Sequence, residues 1–341
     1  MQSSRGAGRA PGSTLVNGRG HQHTRGKSQS RRRTVQEGKL SPDGSSVMKV
    51  LAFGLSLVGF GEERQRCRDD LCMRRFRAHY GVGPKAIRAL IADLKKNQPH
   101  KPFDLSTLFM AISWLKLYEL EEVMSGRWGF GEQYCRENVR DYVSRIQSLK
   151  SKKISFDGLD PKCRILPIDT VHIRSQEFRC DPSSKWYSHK SNGPAVSFEV
   201  VADPVEGKIR WTNGPEPASI NDLTFFRGGK KGKMDSWKRS SLYFHLPNNV
   251  RLIGDSAYGG QPDKVSTTKD AHSPAAKKLF ARMKSMQETC FKRFKDFKVL
   301  RESFRHGKGT EDKLGKIKMA FESTAVLVEY DLENGYGLFE V

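Results

Sequence analysis

Three carboxylates set far apart along the chain, Asp169, Asp255 and Glu288, combine the residue type and the local setting that phosphodiester chemistry requires. Asp169 and Asp255 each close a strand-like run where a turn begins, in Ile168-Asp169-Thr170 and Gly254-Asp255-Ser256. A carboxylate at a strand end is held by the sheet yet faces a crevice open to hard cations and substrate. Glu288 lies in a helix-like segment further on, and two strand ends plus one helix can converge in space. Carboxylate oxygens suit Mg²⁺ or Mn²⁺, and two such divalent ions about 4 Å apart can activate a water or a 3′-hydroxyl and stabilise the leaving oxygen. No other catalytic apparatus competes with this one: the sequence has no phosphate-cradling P-loop, no G-x-S-x-G nucleophile elbow and no H-E-x-x-H helix.

The elements that must position these groups follow from the residue pattern. RILPIDTVHIR, SFEVVADPVEGKIRWTN and NNVRLIGDSAY are rich in β-branched residues and bounded by Gly, Pro or Asn, which predicts strands, the middle one split into a hairpin at Asp203-Pro204. A helix is expected from Ser273, an N-cap followed by Pro274, with Leu279, Met283, Met286, Cys290, Phe294 and Phe297 on one stripe. A last helix runs from about Glu311 to Tyr330 on Leu314, Ile317, Phe321 and Val328, ending before Asn334-Gly335. On the first of these, Glu288 points away from the apolar stripe, on a face shared with Lys284, Lys292 and Lys295. The commonplace role of that face is solvated i,i+4 pairing; the functional one is contact with DNA phosphates beside the reacting bond. Ser219, Asn221 and Asp222 sit where a helix begins, so Asp222 is read as a cap or an accessory carboxylate outside the triad. His172 is expected to make a strand hydrogen bond rather than act as an acid.

Upstream the texture is helical. FRAHYGVGPKAIRALIADL reads as helix, Gly-containing turn, helix, the arrangement of a helix-turn-helix, although most such pairs only pack on each other. A helix from Leu105 to about Met124 follows, and RWGFGEQYCRENVRDYVSRIQSL repeats an aromatic-Gly turn before another. Residues 61–155 are thus expected to form an all-helical DNA-binding domain and residues 160–341 a catalytic one. Residues 1–46, rich in Gly, Ser and Arg, are expected to be a disordered basic arm, its SQSRRRT stretch a nuclear-import or phosphate-contacting patch. With 60 Lys and Arg against 38 Asp and Glu, the net charge of +22 favours a polyanionic partner. The loop FRGGKKGKMDSWKR adds Lys230, Lys231 and Lys233 as candidate phosphate contacts, and Lys185, Trp186, Tyr187, His189 and Lys190 form a mixed patch suited either to base stacking or to packing. The six cysteines are scattered, unlike the dense framework of a small secreted domain; Cys67 and Cys72 with His79 lack a fourth zinc ligand at finger-like spacing. The longest apolar stretch, Val47 to Phe60, is too short to span a bilayer, so no membrane partner is expected.

IDTVHIR, the Gly-Pro turn with NDLTFFR, LIGDSAYG and QETCFKRFKDFKVL resemble, in order and spacing, successive blocks of PIF/Harbinger-like DDE transposases. The resemblance covers about residues 160–341, and the GDSAY block with its downstream Glu is the most specific part. It implies Asp169, Asp255 and Glu288 as a metal-binding triad in an α/β, RNase H-like mixed sheet flanked by helices. It also implies cleavage of transposon ends, strand transfer to target DNA, a homo-oligomer, a Myb-like partner protein and a destination in the nucleus. A lone strand-end Asp is more often a turn or cap residue; three acids in family order weigh the other way. Thr170 departs from the family's usual Gly, and Asn221 precedes Asp222 where His-Asp is usual. The rival readings are a domesticated or inactive derivative that binds DNA or protein without cutting, and a cellular RNase H-like nuclease.

Overall fold

The computed structural model describes residues 46–66 and 68–338; the expected basic arm, apart from Ser46, and Cys67 lie outside the described residues. Eight helices precede the first strand among the described residues: α1 (Val47–Leu57), α2 (Glu62–Gln65), α3 (Asp69–Tyr80), α4 (Pro84–Asn97), α5 (Leu105–Leu117), α6 (Glu121–Trp128), α7 (Glu132–Gln147) and α8 (Lys150–Lys153). The α3–α4 corner forms as the sequence pattern predicts. Gly81 takes the left-handed conformation at φ 78°, Gly83 caps, and Pro84 opens α4. A side chain at Gly81 would strike the ring of Phe297, so both φ and space call for glycine here.

The single helix expected from Leu105 to about Met124 is in fact two. Tyr118 adopts φ 50° and ends α5. The cause is tertiary: the Arg305 guanidinium donates to the carbonyls of Tyr118 and Glu119, its backbone N–H donates to the Tyr118 hydroxyl, and the ring stacks on Phe304. A partner nearly two hundred residues away leaves no local trace in sequence.

The second half contains β1 (Ile165–Arg174), β2 (Tyr187–Ser188), β3 (Gly193–Ala202), β4 (Ile209–Pro217), α9 (Asp222–Arg227), α10 (Leu242–His245), β5 (Arg251–Gly254), β6 (Val265–Thr267), α11 (Pro274–Lys295), α12 (Lys298–Arg301) and α13 (Thr310–Glu333). β1 lies between β3, antiparallel to it, and β5, parallel to it; β4 pairs antiparallel with β3, and β6 parallel with β5. This is a mixed sheet flanked by helices, of the RNase H-like α/β class. The β3–β4 hairpin turns at Asp203, whose carboxylate accepts from the Val205 and Glu206 N–H groups and from the Arg210 guanidinium. Ser273 caps α11 by accepting from the Ala276 N–H, and Pro274 follows at its first position.

The sheet separates two apolar clusters. One face carries Leu166, Ile168, Val201 and Leu252 with Phe226 and Tyr258. The other carries Val171, Ile173, Val196, Phe198 and Val200, and the same cluster takes in Phe76, Tyr80, Leu90, Phe109 and Ile146 from the N-terminal helices. α13 runs through it, with Phe321 stacked on Phe198 at 3.9 Å between centroids. The stripe expected on α13 understates it: every residue from Ala320 to Leu332 is buried, because helices cover one side and the sheet the other. Its internal acids each accept at least one hydrogen bond, although one oxygen of Glu329 has no partner among the described residues. Glu322 accepts from Gln147 and Lys150, and Glu329 from the Ile209 N–H. Asp331 accepts two bonds from Arg77 at 2.8 and 2.7 Å, one from the Gly83 N–H at 2.8 Å and one from Arg293 at 3.3 Å.

Candidate carboxylate site

β1 and β5 run side by side with Pro167 opposite Ile253. Carrying that register two residues on sets Asp169 level with Asp255, but whereas β5 stops at Gly254, β1 runs on to Arg174 along β3, so Asp169 lies mid-strand and not at the strand end expected from sequence. The half-buried Asp169 accepts from the Thr170 N–H at 2.7 Å. Asp255, exposed, caps the short turn Ser256–Tyr258 by accepting from the Ala257 N–H at 2.9 Å. A third carboxylate joins them: Asp222, the first residue of α9, accepts from the Thr170 hydroxyl at 2.8 Å. Asn221 takes the capping role by accepting from the N–H groups of Leu223 and Thr224, which leaves Asp222 to face β1.

The charges of these groups act on one another. Burial pushes the Asp169 carboxyl up to about 6, against the bond from Thr170 and the Lys190 ammonium, with Asp255 and Asp222 adding to the rise. Asp222 is raised for the same reasons, burial first. Beneath them, Glu199 stands directly across from Thr170 in the β1–β3 register, on the same sheet face. It is fully buried and pushed up to about 8, chiefly by desolvation. One of its oxygens accepts from the Trp211 indole at 3.2 Å; the other has no partner, and neither has the buried Tyr258 hydroxyl.

Glu288 is exposed, opposite the buried Met283, Met286, Cys290 and Phe294, as the helical wheel predicts. Its turn of α11 is fastened over the β1–β3 pair, since Gln287 donates at 3.0 Å to the Val200 carbonyl and Val200 is opposite Asp169. Asp169 and Asp255 are thus brought together with Asp222, whereas Glu288 rides the helix above them. Among the described residues no three or more His, Cys, Asp or Glu side chains stand in a metal-holding group. The donors still match a hard cation in kind. Mg²⁺ is commonly held by one or two carboxylates, completed by water and substrate phosphate, and positive charge would offset the burial and the neighbouring carboxylates that raise Asp169.

The remaining expected contacts are distributed around this centre. Lys284, Lys292 and Lys295 are exposed on the Glu288 side of α11, and Lys230, Lys231 and Lys233 on their loop. That loop is pinned: Trp237 is buried and its indole donates to the Lys230 carbonyl at 2.7 Å. In the mixed patch Trp186 packs inward, stacked on Phe178 at 4.1 Å and bonded to the Asp181 carbonyl. Lys190 is exposed, and its charge reaches Asp169, Asp222 and His172. His172 bonds Ser188 at 2.7 Å through Nδ1 and is driven down to about 4 by burial, then by Lys190 and Lys295. Cys72 is buried with its thiol against the Gln65 carbonyl. Sequence reading passed over Glu199 and Tyr258. A charged residue inside the apolar run Val196 to Val201 was the available signal for the first.

Gly254 fixes the approach to Asp255, because a Cβ there would lie 2.6 Å from the Tyr258 ring. Gly254→Ala is expected to cost about 1–3 kcal/mol, as overpacking does. A denaturant midpoint equal to that of the parent would refute this.

No family model and no curated protein sequence matches the chain. Among solved structures, the chain is similar to a pre-cleavage Mos1 transpososome at 10% identity, over 86% of this chain and 94% of that one, with a TM-score of 0.19. A Mos1 transposase paired-end complex with left transposon end aligns at 12% identity, over 86% and 94%, with a TM-score of 0.19. The Mos1 strand transfer complex aligns at 12%, over 82% and 95%, with a TM-score of 0.18. Scores of this size carry no argument; the fold rests on strand order and the site on its own geometry.

Proposed function

We propose that the chain is a DDE-type DNA transposase or endonuclease of the PIF/Harbinger-like kind, cutting transposon ends and joining their 3′-hydroxyls to target DNA. The observation that carries this reading is the placing of Asp169, within β1, beside Asp255, just past the end of the adjacent parallel β5, with Asp222 in electrostatic reach. Asp169 and Asp255 would hold divalent metal, Mg²⁺ or Mn²⁺, with Glu288 approaching from α11. Bound there, the ions supply Lewis-acid activation of the attacking oxygen and stabilisation of the leaving one. The chain's own residues orient the carboxylates: Thr170 fixes Asp169 through its N–H and Asp222 through its hydroxyl, and the Ala257 N–H fixes Asp255. Lys284, Lys292 and Lys295 would neutralise phosphates flanking the scissile bond. In this reading the N-terminal helices contact DNA, two copies serve two transposon ends, and a Myb-like partner and a nuclear site of action come with the family likeness. The rival is a derivative that binds without cutting.

Plasmid nicking in Mg²⁺ or Mn²⁺ separates the two. Asp169→Ala and Asp255→Ala should fall to background, and Thr170→Val, which removes the hydroxyl on Asp222, should lose about 10–100-fold, as outer-shell changes do. Equal, metal-independent background in wild type and variants would favour the binding module.

A further inference from the structure

At the other end of the parallel strands lies a cleft of about 510 Å³ that the proposed chemistry does not use. Arg164 and Ile165 open β1, Val250 and Arg251 open β5, and Asp263 and Lys264 lead into β6, with Asn248 and Asn249 beside them. Asp169 lies five positions beyond Arg164 along β1, so at about 3.3 Å per residue the cleft is roughly 16 Å from the carboxylates.

Its charge is unbalanced. Three cations line it against one acid, and among the described residues none of Arg164, Arg251 and Lys264 forms an ion pair. The Arg251 guanidinium donates instead to the carbonyls of Asp263 and Pro262 and to the Ser266 hydroxyl. Those neutral acceptors fix the guanidinium and take three of its five N–H donors without cancelling its charge, so Arg251 contributes positive field to the cleft and leaves direct phosphate contact to Arg164 and Lys264. Asp263 is occupied in turn by the Gln261 amide at 2.6 Å. The Asn248 and Asn249 amides are exposed at the rim. No aromatic ring lines the cleft to stack a base, so the chemistry it offers is for phosphates.

We infer that this cleft is a second anion site, binding the phosphate backbone of duplex DNA at the sheet end remote from the carboxylates. The site does not depend on whether the chain cuts DNA. A duplex engaged here is held by a different part of the molecule from one presented to Asp169.

The test uses the full chain and a fluorescent 30-bp duplex, with affinity measured by anisotropy across a salt series, and inorganic tripolyphosphate as a second probe. Arg164→Gln with Lys264→Gln should weaken duplex binding about tenfold or more and reduce the slope of log K against log salt by about 1.8, the value for two lost phosphate contacts. Arg164→Lys with Lys264→Arg keeps the charge and should retain wild-type affinity and slope, which separates lost contacts from misfolding. Unchanged affinity and slope in the neutral pair would overturn the site. Loss of tripolyphosphate binding with duplex binding intact would overturn the duplex assignment in favour of a free polyphosphate. Nicking is scored separately, so a chain that never cuts yet loses duplex binding in the neutral pair would sink the proposed reaction and leave this cleft standing.

Discussion

Asp331→Ala should lower the free energy of unfolding by about 3–5 kcal/mol, the usual cost of removing one partner from a buried charged pair. The carboxylate is nearly inaccessible, with 4% side-chain exposure, and it serves Arg77, Arg293 and the Gly83 N–H together. Truncation leaves two partly buried guanidinium groups and a buried N–H without this shared acceptor. Arg77→Ala should cost less, because Asp331 keeps Arg293 and Gly83. Calorimetry is the direct measurement; for a chain of this size a midpoint drop of roughly 5–8 °C is expected for Asp331→Ala. A shift no larger than that of Arg77→Ala would show that the carboxylate is not the shared anchor of α3, α4, α11 and α13.

Stability should also fall as pH rises from about 6.5 to 8, opposite to the trend of a protein held mainly by ionised carboxylates. Glu199 and Glu329 are buried and each pushed up to about 8 by desolvation. Their unfolded counterparts ionise near 4.5. In the interval between, the folded chain binds more protons than the unfolded one, so the slope of stability against pH is negative. Each group contributes at most about 1.4 kcal/mol per pH unit. His172 and His306, both lowered to about 4 by burial, act in the opposite sense but only below about 6.5, which is why the window opens there. Glu199→Gln keeps the shape of the side chain and removes the ionisation. Thermal midpoints at pH 6.5 and 8 should differ in the parent and converge in the double variant with Glu329→Gln. Parallel pH profiles in the two would refute the assignment.

The parts of the molecule that were legible beforehand are those specified by neighbouring residues. β-branched runs bounded by turn residues marked β1, β5 and the β3–β4 hairpin, and Ser273-Pro274 marked the start of α11. Asp255 was recognisable because it closes such a run; Asp169 was expected to do the same, but β1 continues past it to Arg174 because β3 pairs with it along that whole length. β2 and β6 escaped notice, being two and three residues long, too short for any alternation to register. Asp222 looked like a cap because Asn221 and Asp222 are both good capping residues; only the Thr170 hydroxyl, supplied by β1, decides between them. The break at Tyr118 and the all-round burial of α13 are likewise set by distant segments, which the periodicity of a single helix cannot report.

The position of α13 has a hereditary consequence. α13 follows every other described element in the chain, so a nonsense codon anywhere upstream of its end deletes the surface on which both the earlier helices and the sheet close. A gene copy accumulating such lesions would pass from whole to worthless in one step, whereas a copy put to a new use must retain its reading frame to the end of α13.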